Sequence, residues 1–154
     1  MLNRRTFLQN TMGTGAIAIA ASCGLLIPGS VLAAWNKAAF ESKDLGAAMS
    51  ATGESSAVAS DKIKIKAPDI AENGAVVPVT VSTTIAGVEG ISIYAEKNGT
   101  PMSAIFKLGK NTEGFVSTRI KMGKTSNVVA VVTAGGKHYK AHKEVKVTIG
   151  GCGG

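Results

Sequence analysis

From residue 61 onward, apolar and polar positions alternate with a period of two, the signature of strands with one buried face. Ile63, Ile65 and Ala67 alternate with Lys62, Lys64 and Lys66 and predict a half-buried strand over 61–67. Val77 to Ser82 predicts a second strand, with Pro78 confined to an edge or a strand start because it has no N–H to donate. A third strand over 90–96 puts Ile91, Ile93 and Ala95 on one face. Asn98-Gly99 then reads as a hairpin turn with two positive φ angles, returning through a strand over 101–108. Further strands are predicted over 115–121 and 127–133. The unbroken Val-Val-Ala-Val-Val run of the latter implies burial on both faces or a sandwich core. Gly135-Gly136 turns the chain into a last strand over 137–149, with a break expected near Ala141. Seven short strands with regular turn signals define an all-β chain, an immunoglobulin-like antiparallel β-sandwich of about seven strands.

Upstream the period changes. Trp35, Ala38, Ala39, Leu45 and Met49 fall on one face of a short N-terminal helix over 35–49, and the small, polar residues 50–60 read as a linker. Before them, Asn3-Arg4-Arg5-Thr6-Phe7-Leu8-Gln9 precedes a moderately apolar stretch, Met12 to Leu32. This resembles a twin-arginine export signal, with cleavage after Ala33 at Val31-Leu32-Ala33-Ala34. The address it implies is the periplasm. Ala16 to Ala34 is nearly long enough to span a bilayer, but Pro28, Gly29 and the cleavage site oppose a stable membrane insertion. Cys23 follows only a weak lipobox, Ala20-Ala21-Ser22. The expected organisation is therefore a signal peptide at 1–33, helix and linker at 34–60, a sandwich at 61–149 and a C-terminal arm at 150–154.

Aromatics make up only 5% of the chain, so the core must be built from Val, Ile and Ala. The net charge is +7; without Arg4 and Arg5, 15 basic residues face 10 acidic ones, a net of +5. No dense Lys/Arg block with interleaved aromatics supports a nucleic-acid partner, whereas a mild positive field suits an anionic small molecule. Of the two cysteines, Cys23 goes with the leader, which leaves Cys152 as an odd thiol in an exported protein.

Cys152 sits in Gly150-Gly151-Cys152-Gly153-Gly154. Glycine lacks Cβ and has the widest φ/ψ freedom, so the pattern predicts a thin, flexible carrier arm directly after a strand. Five extended residues reach about 17 Å, far enough for the thiol to enter a pocket on another protein. An unperturbed thiol has a pKa near 8.5 and is only about 3% ionised at pH 7. No charged residue lies in the arm, so activation is expected to come from a partner's pocket.

The Gly-Gly-Cys-Gly-Gly ending resembles the C-terminal motif of the SoxY family, carriers of the periplasmic thiosulfate-oxidising (Sox) system. The leader, the helix around Phe40-Leu45 and the segment Ala67-Pro68-Asp69-Ile70-Ala71-Glu72-Asn73-Gly74 are similar as well. The resemblance implies covalent attachment of sulfur-oxidation intermediates, such as a cysteine S-thiosulfonate, at Cys152, with Gly150, Gly151, Gly153 and Gly154 as the arm. It implies a SoxZ-like partner subunit, with transient docking to a thiosulfate-conjugating haem protein, a sulfate-releasing hydrolase and, in some systems, a sulfane dehydrogenase. It implies a carrier with no active site, cofactor or metal of its own.

Competing constellations are weaker. His138 and His142 lie about 13 Å apart if extended, too far to share one ion without a bend. A blue-copper site with Cys152 would need a rigid ligand, which a glycine arm does not provide. The Gly153-Gly154 end is shared with ubiquitin-like sulfur carriers, but these are cytosolic. No paired carboxylates, phosphate loop or nucleophile–base pair is visible. From another functional class, the alternative is an exported immunoglobulin-like structural or adhesive domain that dimerises through a tail disulfide.

Overall fold

In the computed structural model, residues 35–148 are described; the leader with Cys23, and the arm with Cys152, lie outside the described residues. Among the described residues, nine strands form two sheets. They are β1 (Val58–Ala59), β2 (Ile63–Lys66), β3 (Ile70–Ala71), β4 (Val77–Thr83), β5 (Val88–Ala95), β6 (Met102–Lys107), β7 (Phe115–Ile120), β8 (Ser126–Ala134) and β9 (Lys137–Val147). One sheet runs β1-β9-β8-β5-β6, with β3 also pairing β9; the other runs β2-β4-β7. Among the described residues, two helices, α1 (Lys37–Glu41) and α2 (Leu45–Ala51), precede the strands.

The immunoglobulin-like sandwich expected from the alternation is present, and its seven main strands fall on the seven segments the pattern marks out. Val77, Val79 and Val81 of β4 face Ile91 and Ile93 of β5 and Val128, Ala130 and Val132 of β8 in one core. The odd positions of β8 behave differently. Val129 and Val131, with Tyr94 and Met102, pack under Ala39, Ala48 and Met49 of the helices. The continuous apolar run of β8 thus marks a strand buried on both faces, between a second sheet and a helical cover.

Four expectations need correction. The helix over 35–49 is two helices. Asp44 adopts an extended backbone (φ −136°, ψ 159°) and its carboxylate accepts from the Ala47 N–H at 2.8 Å, so it caps a new helix in place of continuing the old one. Residues 50–60 are not a free linker. Glu54 and Ala57 are buried, and β1 pairs with β9 in register Val58↔Tyr139. Asn98-Gly99 lies in the β5–β6 hairpin, but neither residue has a positive φ. The loop is longer, and Asn98 instead ties it to a neighbour, donating to Lys121 O (2.7 Å) and accepting from Gly123 N (2.9 Å). It is Gly135 (φ 56°) and Gly136 (φ 70°) that make the two-residue turn with both angles positive, between β8 and β9. Finally, β9 runs unbroken through Ala141.

The segment after α2 is held by a buried polar cluster. Glu54 accepts from Ser92 Oγ (2.6 Å) with one carboxyl oxygen and from the Tyr94 hydroxyl (2.5 Å) with the other. Thr52 Oγ1 lies 3.0 Å from the same hydroxyl. Burial, and then the hydrogen bond to Glu54, push the Tyr94 phenol above the ordinary tyrosine range. The folded state therefore favours the protonated phenol. This stabilisation is complete below the ordinary pKa of 10.0 and is lost as pH rises beyond it.

Glu54→Ala leaves two buried hydroxyls without their acceptor and should cost about 2–3 kcal/mol in denaturant unfolding. Tyr94→Phe should cost less and should flatten the loss of stability above pH 10, a comparison that pH-dependent melts make directly. A Glu54→Ala variant as stable as the parent would mean that the cluster does not hold the helical cover down.

Candidate functional site

The last described residue, Thr148, lies four positions before Cys152. The site that the described chain contributes is therefore the root from which the C-terminal segment departs. It is built at the end of β9 from three pieces of chain.

The ladder between β8 and β9 ends at Ser126↔Val145. Val145 is fully buried and anchors the strand in the sandwich core. Beyond it, the Thr125 side chain takes over from the missing main-chain partner. Its hydroxyl accepts from Val147 N at 2.9 Å and donates to Val147 O at 3.4 Å. Threonine can do this because a hydroxyl is donor and acceptor at once.

The opposite edge of β9 is closed by β3, which runs parallel in register Ile70↔Lys146 and Ala71↔Val147. Lys146 N donates to Asp69 O at 2.9 Å and Thr148 N to Ala71 O at 3.2 Å. Lys143 Nζ donates to Ala67 O at 2.6 Å and pairs with Asp69 at 3.0 Å. These contacts bind the segment Ala67–Gly74 across the strand end. Gly74 closes the strap. A Cβ there would stand 2.3 Å from Met122 O and 2.8 Å from Val147 Cγ1, so only glycine allows the approach, and Met122 N donates to Gly74 O at 2.7 Å.

The root residues were not legible as a site. Asp69–Gly74 reads as punctuation between strands, because two-residue parallel strands have no periodicity to detect. The Asn73-Gly74 pair is the only local signal of a forced turn. Thr125 carries no signal at all, since its role depends on where the β8–β9 ladder stops. His138 and His142 lie on the uninterrupted β9. His138 Nδ1 lies 3.0 Å from Thr133 Oγ1, and His142 is exposed beside Met49 and Val129. The strand therefore keeps them apart, as extended spacing requires. Among the described residues, no group of three or more His, Cys, Asp or Glu side chains converges, and no helix is long and apolar enough to cross a membrane.

The described chain is thus a β-sandwich with a helical cover, whose final strand is strapped at its end. The family model for sulfur oxidation protein SoxY matches residues 48–152, which is most of the chain, and the chain belongs to that family. Among solved structures, the chain is similar to the sulfur carrier protein SoxY from Chlorobium limicola f thiosulfatophilum. The identity is 50% and the TM-score 0.62, over 69% of this chain and 97% of that one. It is also similar to a superoxide reductase (neelaredoxin) from Ignicoccus hospitalis at 22% identity and TM-score 0.51, over 56% of this chain and 80% of that one, a likeness of fold alone. No relative among curated proteins matches the chain.

Thr125→Val keeps the shape but deletes both hydrogen bonds to Val147. It should cost about 1 kcal/mol and speed amide exchange at Val147 and Thr148 while leaving Val129 and Val131 unchanged. Equal protection at Val147 in both proteins would show that Thr125 does not pin the root.

Proposed function

We propose that this chain is a sulfur carrier that holds sulfur-oxidation intermediates covalently on Cys152 and presents them in turn to other enzymes. The observation that carries the reading is that the family match runs to Cys152 itself, five residues past the end of a strand tied on both edges. The sequence around the thiol supports it: Gly150, Gly151, Gly153 and Gly154 surround it with backbone alone. The structural alternative, a dimer joined by a tail disulfide, gives no reason for a family match of this kind.

The chemistry balances with a thiolate and an external two-electron acceptor. The Cys152 thiolate and thiosulfate join through a new S–S bond, giving a cysteine S-thiosulfonate and releasing two electrons, which a haem protein accepts. Water then attacks the terminal sulfonate sulfur on a hydrolase. That S–S bond breaks, sulfate and two protons leave, and a persulfide remains on Cys152 for a sulfane dehydrogenase where one is present. This chain supplies the nucleophile and its delivery; the acid–base groups and metals belong to the enzymes it visits. A SoxZ-like subunit as stable partner and twin-arginine export to the periplasm complete the reading.

Intact-mass spectrometry of the protein from thiosulfate-grown cells, with and without reductant, tests it. Reducible sulfur adducts that vanish in Cys152→Ser are expected. A bare thiol or a pure disulfide dimer would overturn the carrier role. Gly151→Val with Gly153→Val should leave the melting temperature unchanged but reduce loading by about tenfold or more, because β-branched residues narrow the backbone's range and thicken the arm. Normal loading of that variant would remove thinness from the argument.

A further inference from the structure

One end of the sandwich gathers four lysines. Lys97 in the β5–β6 loop, Lys121 and Lys124 in the β7–β8 loop and Lys43 between the helices line an open bowl of about 440 Å³ with Asn98 and Gly123. No acidic side chain lines it. All four lysines are exposed, and among the described residues neither ion pair involves them. The nearest acids in sequence are turned to other partners. The Asp44 carboxylate caps α2 through Ala47 N at 2.8 Å, and Glu96 accepts from Asn127 Nδ2 at 2.8 Å. The Asn98 side chain bonds both to Lys121 O and to Gly123 N, so the spacing of the two lysine-bearing loops is fixed.

The bowl adjoins the root of the arm. Lys124 directly precedes Thr125, whose hydroxyl is 2.9 Å from Val147 N. Bond geometry then keeps the Lys124 Cα within roughly 10 Å of that nitrogen. Cys152 follows Val147 by five residues and can stand up to about 17 Å away. The thiol's range therefore includes the bowl.

We propose that the lysine bowl binds the anionic sulfonate end of the cargo carried on Cys152 of the same chain. This rests on the carrier reading above. Exposed lysines give weak, salt-screened attraction, so a free anion is held at millimolar affinity or worse. A short tether, however, supplies the anion at an effective concentration in the millimolar range. Tethered cargo then occupies the bowl several times more often than a dilute free anion does. A neutral thiol gains nothing from it. The loaded arm thus rests on its own domain, with the labile S–S bond held close to the protein, until an enzyme offers a stronger anion site.

Tetrathionate makes the test adduct directly. The Cys152 thiolate attacks a central sulfur, one S–S bond forms, one breaks, and thiosulfate leaves with the electron pair. Methyl methanethiosulfonate gives the uncharged S-methyl control and releases methanesulfinate. Amide shifts at Asn98 and Gly123 are read by nitrogen-edited NMR on both adducts, with loading checked by intact mass. The anionic adduct is expected to shift these amides and the S-methyl adduct is not. Salt at about 1 M, where screening acts within about 3 Å, should abolish the shifts. Lys97→Ala combined with Lys121→Ala and Lys124→Ala should abolish them too. Free thiosulfate at about 0.2 mM with Cys152→Ala should give shifts roughly fivefold smaller. Equal shifts from the S-methyl adduct, no shift from the anionic one, or a full shift from dilute free thiosulfate would each overturn the proposal. Failure of the carrier reading appears elsewhere, as absence of adducts on protein from thiosulfate-grown cells, and leaves this experiment readable.

Discussion

The constraint on which the rest of the molecule depends is the fixing of the β9 end. A group carried on a short segment can be delivered reproducibly only if the segment's origin does not wander, and strand ends are where backbone ladders fray. In this chain the β8 ladder stops at Ser126↔Val145, two residues short of the strand's end. Thr125 supplies the next pair of bonds from its side chain, and β3 supplies main-chain bonds along the opposite edge. A strand tied on both edges has no free edge at its exit, which also removes a site for unwanted pairing.

That root would be of little use on a soft scaffold. The six-stranded sheet is stiffened by burial on both faces, with Val128, Ala130 and Val132 in the sandwich core and Val129 and Val131 under the helices. Close-packed interiors resist deformation, so a strand held this way transmits little movement to its end. The buried Glu54 cluster serves the same purpose on the helical side. Ser92 and Tyr94 both donate to Glu54, so lifting the cover would break both buried hydrogen bonds at once.

Much of this was legible in the alternation of residues, and the parts that were not share a physical cause. Strands whose faces differ in burial announce themselves, so β2, β4, β7 and the end of β9 were readable, and the valine run of β8 allowed either two buried faces or a sandwich core, of which the structure has both. The straps β1 and β3 are two residues long and parallel, below the length at which a period exists. Asn98-Gly99 has the composition of a tight turn, but Asn98's side chain found better partners in the next loop. Glu54 sits in a stretch of small polar residues that looks like a linker. A buried carboxyl group can be foreseen only if its donors, some 40 positions away on β5, are known to face it. The proposed carrier cysteine and its glycines stand in the sequence and lie outside the described residues. The residues that hold their origin were not legible there, because they are defined by where ladders end.

The charge placed near that origin is of a particular kind. All four basic residues of the bowl are lysines, although arginine binds sulfonates and sulfates more firmly through its planar, bidentate fork. Arg119, the arginine among the described residues, lies on β7 and does not line it. A carrier that visits several enzymes has to surrender its cargo each time. Tight retention in cis would subtract directly from every docking event, since the bound-back state lowers the fraction of arm available to a partner. Hydrated, flexible ammonium groups around an open bowl give attraction that the tether amplifies and that a rigid catalytic pocket can outbid. Weakness at this surface is therefore what a shuttle requires.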